Sequence, residues 1–270
     1  KNALSAGLIL SGAVITYAPY ASTTIKNRWQ QFKASLSRRL AVGKIEEQNT
    51  AEEREKMYKF LSSLCLKPPS DSVISMIEDG RILTGLEGDI KGYAELWKFV
   101  NEASQMTDLK NELEAEHTAL FVLPSGVIPH EAVYLDKEKK LGGRVTMSVK
   151  QFYEKAGTEI LDNCIEMPDH MGMELEFMGF LCKLENRLWE KADLLAIQKC
   201  IELQKTFLDE HLSKWVYQCC EKIIERATYG FYRAIAYLIM EFVKNEKEYV
   251  AELYEKLYRN KEMERCEKNT

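Results

Sequence analysis

The 270-residue chain contains 46% hydrophobic and 29% charged residues, with only 14 glycines and 6 prolines. These values exclude a disordered chain and favour a soluble all-α protein. The net charge of -5 is unevenly divided, because residues 1–45 hold seven basic side chains and no acid, which leaves 30 basic against 42 acidic residues in the rest. Such an acidic body argues against nucleic acid as a partner and suits a basic peptide.

Seven cysteines are scattered along the chain without a CxxC pair. An odd, dispersed set on apolar helical faces is typical of reduced core thiols in a cytoplasmic protein rather than of a disulfide framework. Structural zinc sites need two close pairs of ligands, so we expect no metal site on the cysteines and no cofactor.

The N-terminal segment is apolar and is followed by a basic stretch. Residues 2–25 hold no charge, and a basic run behind them does not fit a signal peptide but fits a membrane span that leaves the body in the cytoplasm. A helix docked on the body or on a partner is the alternative. Over 25–40 the apolar spacing predicts a basic amphipathic helix, which suits either an anionic membrane or an acidic protein face. Membrane contact through residues 1–45 is therefore one expectation.

Short helices separated by tight turns are predicted after a polar linker at 43–53. A Lys-Pro-Pro stop ends one helix, Ser70 or Asp71 caps the next, and Gly157 ends the last as a C-cap. A loop with two prolines delivers the string HEAVYL (130–135) as an extended or turn segment. The helices predicted from the apolar spacing here cover 51–66, 70–77, 93–103, 108–121 and 145–156.

The stretch Cys164–Cys182, read as CIEMPDHMGMELEFMGFLC, holds the densest run of polar groups. Pro168 cannot lie inside a helix, and Asp169 behind it can cap a helix that starts there. His170 and Glu174 then share one face of this helix, and the first-turn position favours exposure of the His170 ring. The opposite face is apolar. The pattern predicts a helix whose first turn is polar and whose opposite face is buried.

Longer helices follow and complete a bundle. The string FLDEHLSKW (207–215) interrupts the apolar pattern and places His211, Leu212 and Trp215 at a second corner, and the charged tail at 260–270 is expected to fray. The predicted helices run from the PDH string to residue 189, over 192–208, over 216–244 with a break near Gly230, and over 246–259.

These strings together resemble the TorD/DmsD/NarJ family of redox-enzyme maturation chaperones. The match covers residues 51–258 and leaves 1–50 outside it. The resemblance implies an all-α fold in which a smaller N-terminal helical part (51–163) is joined by a hinge to a C-terminal bundle (164–270). The strings that carry it are ALF (119–121), HEAVYL behind its proline loop, FYEKAG (152–157), PDHMGMELEFMGFL (168–181) and FLDEHLSKW.

The resemblance also implies a function. Family members bind the twin-arginine leader of a molybdoenzyme subunit in the cytoplasm and hold back its export until the cofactor is inserted. A leader offers two adjacent arginines and an apolar run, so its receptor needs carboxylates at the edge of an apolar groove. Methionines at 171, 173 and 178 are candidates to line the groove, and of these Met178 fits the apolar core better than the groove. The residues expected to bind the peptide are Phe121, Glu131, Tyr134, Pro168, Asp169, His170, Glu174, Glu176, His211 and Trp215.

Other hypotheses stay open at this point. Asp169 fits a role as a helix cap alone as well as a role in peptide contact, and His170 fits a structural hydrogen bond as well as an exposed position. An enzyme that uses His170 and Glu174 as a metal pair or an acid/base couple is disfavoured, because HExxH, a phosphate loop and a third ligand at fixed spacing are missing. A membrane-tethered scaffold for a respiratory redox complex rests on residues 1–45 alone. A swapped homodimer is compatible with a hinged chaperone.

Overall fold

The computed structural model describes residues 9–10, 13–15, 47–84, 91–160 and 164–267, and within these ranges it describes the side chains from residue 47 to residue 258. Its helices confirm the all-α class. The helices are α1 (47–66), α2 (Asp71–Glu78), a 3-10 turn (Arg81–Leu83), α3 (Lys91–Ala103), α4 (Leu109–His117), a π-helical segment (Thr118–Val122), α5 (Glu131–Leu135), α6 (Arg144–Lys155), α7 (Met171–Lys191), α8 (Leu194–Phe207), a second π-helical segment (Leu208–Leu212), α9 (Ser213–Arg226) and α10 (Gly230–Glu267).

Local signals explain several helix ends. The Ser70 hydroxyl accepts a hydrogen bond from the Val73 amide (3.4 Å) and starts α2, as predicted. Gly157 follows α6 with a φ of 80°, which confirms the predicted C-cap. The predicted linker at 43–53 is wrong from residue 47 onward, because α1 begins there and buries Ala51 and Arg54.

Two glycines let α1 lie close against α7. A Cβ on Gly172 would come within 2.5 Å of the Leu66 Cγ, and a Cβ on Gly179 would come within 3.1 Å of the Tyr58 Cβ. The Ser62 hydroxyl also donates to the Gly172 carbonyl (2.8 Å). Because residue numbers rise on one helix as they fall on the other, α1 and α7 run antiparallel, and α1 fixes the position of the α7 start.

The last helix is a single long element. The break predicted near Gly230 is confirmed, but the predicted break at 245 is wrong, because α10 runs unbroken to Glu267. Val243 and Val250 keep one face buried through this region, and Glu246 between them is paired with Arg54 rather than exposed. The helix packs along α3, α8 and α9. It therefore joins the early and the late helices of the chain.

A small antiparallel sheet, in the order β1-β2-β3, joins β1 (Ile9–Leu10), β2 (Ala13–Ile15) and β3 (Thr158–Ile160). A helix or membrane span at 2–25 is thus wrong for the two described strands, because β1 pairs with β2 and β2 pairs with β3. The basic helix predicted at 25–40 lies outside the described residues. Among the residues that are described, no helix is both long enough and apolar enough to span a bilayer. The division of the chain at residue 163 stays a prediction.

Candidate functional site

The start of α7 and the short helix α5 are held side by side. The amide of Glu131 donates to the Asp169 carbonyl (2.9 Å), and His130 and His170 form an antiparallel bridge. The HEAVYL segment, predicted as extended or a turn, is therefore helical over Glu131–Leu135. Its helix starts because acceptors come from the PDH string, almost forty residues later in the chain, and a local pattern cannot show them.

Asp169 is fully buried and caps α5 rather than α7. Its Oδ2 accepts a hydrogen bond from the Ala132 amide (3.1 Å), and its Oδ1 lies 3.5 Å from the His130 Nδ1. Burial opposes ionisation, but hydrogen bonds from His130 and from the Ala132 amide outweigh it and lower the pKa of Asp169. The predicted capping role is correct in kind, and the capped helix is a different one.

His170 is the residue that caps α7. Its Nδ1 accepts a hydrogen bond from the Gly172 amide (3.0 Å). Only 5% of the residue is exposed, so the predicted exposure of this ring is wrong. The α5 segment covers it, and the next amide, that of Met171, donates to the Pro129 carbonyl (2.8 Å). Burial, followed by the nearness of His130, lowers the pKa of His170 to about 3, so the ring is neutral at neutral pH.

Two buried carboxyl groups lie beneath this cap. The Trp215 indole donates to the Glu174 Oε2 (3.2 Å), while no donor among the described residues reaches the Glu174 Oε1. Both carboxyl oxygens of Glu131 lie 3.1 Å from the His211 Nδ1. Burial, and after it the charge of Glu131, raises the pKa of Glu174 well above its ordinary value. Burial and the neighbouring carboxyl group of Glu131 therefore both favour the protonated form of Glu174.

Aromatic side chains enclose the carboxyl pair. The rings of Tyr134 and Trp215 stack with their centroids 5.4 Å apart. On the other side, the Tyr153 hydroxyl donates to the Pro168 carbonyl (2.9 Å). Burial first, and then the neighbouring carboxylates with Glu176 among them, raises the pKa of the Tyr153 hydroxyl. Sequence reasoning missed Tyr153, although it lies in the FYEKAG string.

The structure gathers eight of the ten predicted residues into this buried polar cluster. Phe121 belongs instead to an adjoining aromatic group with His117 (centroids 5.1 Å apart) and Tyr232 (5.6 Å). Glu176 is half-buried on the Tyr153 side. The eight gathered residues, called the acid cluster below, are Glu131, Tyr134, Pro168, Asp169, His170, Glu174, His211 and Trp215.

Exposed apolar side chains, which sequence reasoning did not single out, lie on the segments around the acid cluster. Of the ten large hydrophobic side chains exposed in the described residues, eight belong to 122–147 and 164–167, and Ile165 is 96% exposed. The methionines at 171, 173 and 178 are all buried in the core, at 0–3% exposure, so a groove role is wrong for Met171 and Met173 and the core position favoured for Met178 is confirmed. We call the eight exposed residues the apolar rim: Val122, Leu123, Ile128, Leu135, Leu141, Met147, Ile165 and Met167.

One trio of side chains has the composition of a metal site. Ligand atoms of His130, Glu166 and His170 all lie within 4.8 Å of one another. However, the His170 Nδ1 accepts a hydrogen bond from the Gly172 amide, so the single proton of the neutral ring sits on Nε2 and leaves no free lone pair for a metal. The geometry favours a helix cap over a metal ligand at this position.

The charge of the acid cluster is unbalanced. Asp169, Glu131 and Glu174 converge there, and across the described ranges no lysine or arginine lies within ion-pair distance of any of the three. Their polar partners are histidine, tryptophan and backbone groups. Buried carboxylates without a cation are costly, so the arrangement favours a positively charged ligand.

Comparison with known proteins yields a family model and a set of relatives. The model described as nitrate reductase delta subunit matches residues 86–221, about half of the chain. Chaperone protein TorD of Vibrio cholerae is 25% identical over 218 residues, covering 77% of this chain and 96% of that protein. The protein of the same name from Aliivibrio fischeri is 27% identical over 219 residues, covering 80% and 89%. A solved structure described as a redox enzyme maturation protein of Archaeoglobus fulgidus is 21% identical, with a TM-score of 0.41, and covers 71% and 93%.

Proposed function

Because the chain belongs to the nitrate reductase delta subunit family, we propose that it is a chaperone that binds the twin-arginine leader, or the apo form, of a molybdoenzyme subunit and assists cofactor insertion before export. The observation that carries the proposal is the similarity, over 77–80% of the chain, to proteins named as TorD chaperones. The family predicted from the sequence is thereby confirmed. We assign the action to the cytoplasm, where the leader is available before export.

The chemistry of the acid cluster supports leader binding. A guanidinium stays charged at all relevant pH values and forms paired hydrogen bonds with a carboxylate. Asp169, Glu131 and Glu174 offer three carboxyl groups without a resident lysine or arginine. The net acidity of the body adds a long-range attraction for a basic peptide.

The apolar rim supports binding of the second feature of a leader. Exposed side chains such as Ile165 and Met167 directly precede the PDH string, and Leu135 ends α5. An apolar run seated on these side chains would remove them from water at roughly 25 cal/mol per Å² of buried surface. The acid cluster thus matches the paired arginines of a leader, and the apolar rim matches its apolar run. The apolar run would bind on the exposed surface of the protein.

An enzymatic role is not supported. The relatives are named as chaperones, in agreement with the prediction that the chain is not an enzyme. The acid cluster also has no nucleophile and base within hydrogen-bond reach of each other in an open cleft. Its histidines serve as a helix cap and as a carboxylate partner.

A variant that keeps both helix caps tests the site. Asparagine supplies a capping oxygen, so Asp169→Asn together with His170→Asn preserves the α5 and α7 starts while removing one charge and one ring. We expect a synthetic twin-arginine leader peptide to bind this double variant about tenfold to a hundredfold more weakly than the unaltered chain, measured by calorimetry.

The matched control is Asp193→Asn, because Asp193 caps α8 through the Ala196 amide (3.2 Å) and lies outside the acid cluster. It makes the same charge change at the same kind of position and should leave the peptide affinity unchanged. Equal binding by the double variant and the control would reject the site. Failure of the unaltered chain to bind either a leader or an apo subunit would reject the function.

Two further predictions concern assembly. Membrane contact through residues 1–45 predicts that the full chain sediments with membranes and that a chain starting at residue 46 does not.

Homodimerisation predicts twice the monomer mass in sedimentation equilibrium. The membrane-tethered scaffold is not favoured by the relatives, which are named as chaperones.

A further inference from the structure

The Glu131–Glu174 carboxyl pair is sealed from solvent, with 2% and 0% of the two residues exposed. It is surrounded on every side by packed elements, and a cation is absent from the described residues that face it. The groups facing it are Asp169 before α7, Tyr153 on α6, His211 in the π-helical segment, and Trp215 and Cys219 on α9.

This pair can hold only one negative charge. Two adjacent carboxylates in a buried site repel each other, and one of them keeps its proton. We assign the proton to Glu174, because both oxygens of Glu131 lie 3.1 Å from the His211 Nδ1, whereas the Glu174 Oε1 has no hydrogen-bond partner among the described residues. The pKa of Glu174, raised by burial and by Glu131, agrees with this assignment. Before a ligand binds, the pair is therefore one acid and one carboxylate.

We propose that the Glu131–Glu174 pair receives one guanidinium group of the bound polypeptide and that the Glu174 proton is released to solvent as the guanidinium enters. The inference rests on the proposed function and adds to it which groups of the site are charged before and after the ligand binds. The carboxylic acid and the guanidinium cation become a carboxylate–guanidinium ion pair, and the proton leaves to water. Charge is conserved, and the buried site gains the cation that it lacks.

The α5 helix provides the entry. It is a single turn of five residues, and its first two amides are held only by Asp169. Leu135 at its end and Ile128 before it belong to the apolar rim, so a polypeptide on the rim touches both sides of α5. The outer face of Tyr134 already has a cation over it, since the Lys222 Nζ lies 4.5 Å from the ring centroid. Because Glu131 is the first residue of α5, displacement of α5 would carry Glu131 outward and uncover Glu174.

Proton release is measured directly by calorimetry. A synthetic twin-arginine leader peptide is titrated into the full chain at one pH in two buffers that differ in ionisation enthalpy, and the difference in heat gives the protons exchanged. We expect about one proton released per peptide, and an affinity that rises up to about tenfold per pH unit below the pKa of the released group. A peptide with citrulline in place of both arginines, which is neutral and of the same shape, should release none.

Variants identify the source of the proton. Glu174→Gln should reduce the released protons to about zero and weaken binding about tenfold, because an amide still accepts a hydrogen bond but has no charge. Glu210→Gln makes a similar change at an exposed position next to His211 and should behave like the unaltered chain. Circular dichroism of each variant checks the fold.

The outcomes separate the two proposals. Tight leader binding with no proton release, or with release that persists in a folded Glu174→Gln variant, overturns the inference and leaves the chaperone function standing. A leader and an apo subunit that both fail to bind overturn the function and the inference together. The two-buffer measurement counts the protons released by the unaltered chain and needs no variant. If the Glu174→Gln chain does not fold, this count still tests the inference.

Discussion

Two buried polar clusters lie on α7, one near each end, and they differ in charge balance. Near the C-terminal end, Arg54 donates to Glu185 (2.8 Å), to both oxygens of Glu246 (2.8 and 2.9 Å) and to Gln204 (2.6 Å). Gln204 in turn donates to Glu185 (2.9 Å). Every polar side-chain atom in this Arg54 network has a partner. Four helices are joined there, and nothing is left for a ligand.

The acid cluster at the start of α7 is built from similar groups but is incomplete. The Glu174 Oε1 lacks a donor, and the Asp169 Oδ1 and the His130 Nδ1 are 3.5 Å apart, beyond a strong hydrogen bond. Burial alone therefore does not separate a complete structural network from a candidate binding site. The presence or absence of an internal cation does, because only the cluster without one gains energy from a cationic ligand.

The largest expected effect is on the complete network. Arg54→Ala leaves Glu185 and Glu246 buried without their cation, and breaking a buried ion pair in this way costs about 3–5 kcal/mol of unfolding free energy. Urea denaturation measures the change, and leader binding by the folded fraction should be unaltered. A cost below about 1 kcal/mol would show that the network is not structural.

The next effect concerns pH dependence in the acid cluster. The folded chain keeps the Glu174 proton, whereas the unfolded chain loses it above the ordinary pKa of 4.5, so this group destabilises the fold increasingly as pH rises from there. Relative to Glu174→Gln, the unaltered chain should lose up to about 1.4 kcal/mol per pH unit between about pH 5 and 7. Denaturation of both proteins across this range supplies the comparison, and parallel curves would contradict a protonated Glu174.

A smaller effect tests the contact that positions the acid cluster. Gly172→Ala forces a Cβ to within 2.5 Å of Leu66, so we expect a loss of about 2 kcal/mol in stability, because α1 must move or the side chain must be compressed. Gly179→Ala is the matched control on the same helix, since its Cβ would meet Tyr58 at 3.1 Å, and it should cost less. Equal losses in thermal denaturation would mean that the close approach at Gly172 is unimportant.

The smallest effect separates capping from binding at His170. His170→Ala removes the α7 cap and should cost about 1 kcal/mol, while His170→Asn restores it. Because the folded pKa of about 3 lies below the ordinary 6.5, the histidine loses stability as pH falls below 6.5, and both variants should lack this loss. Stability across pH 4 to 7 is the measurement. A stable His170→Asn chain with weak leader binding would give the ring a role beyond the cap.

Much of the helical framework could be predicted, because apolar spacing identifies buried faces without knowledge of what covers them. The helices over 51–66 and 145–156 and the stop before Ser70 agree with the structure to within a few residues. The interruption at FLDEHL was also visible and proves to be the π-helical segment Leu208–Leu212. A π-helical segment shifts the register of the helix, which brings His211 inward toward Glu131.

The burial of the acid cluster could not be predicted, because it depends on partners distant in sequence. Periodicity placed His170 and Glu174 on a polar face, and a polar face normally lies in water. Here α5 and α9 cover that face, and Trp215 supplies a donor across 41 residues of sequence. His170 caps α7 in place of Asp169 for the same reason, because the Asp169 carboxylate accepts its hydrogen bond from the Ala132 amide of α5. The spacing of residues in the sequence shows which of them share a helix face, and tertiary contacts decide whether that face is exposed to solvent.

The length of α10 has a consequence for synthesis of the chain. This 38-residue helix follows the other described elements along the chain, yet it packs on α3 and pairs with Arg54 of α1 through Glu246. While the chain emerges N-terminus first, the apolar faces of α3 and α8 remain open until Phe231–Val250 leaves the ribosome. The core around α3 therefore closes only after every earlier described helix has been made.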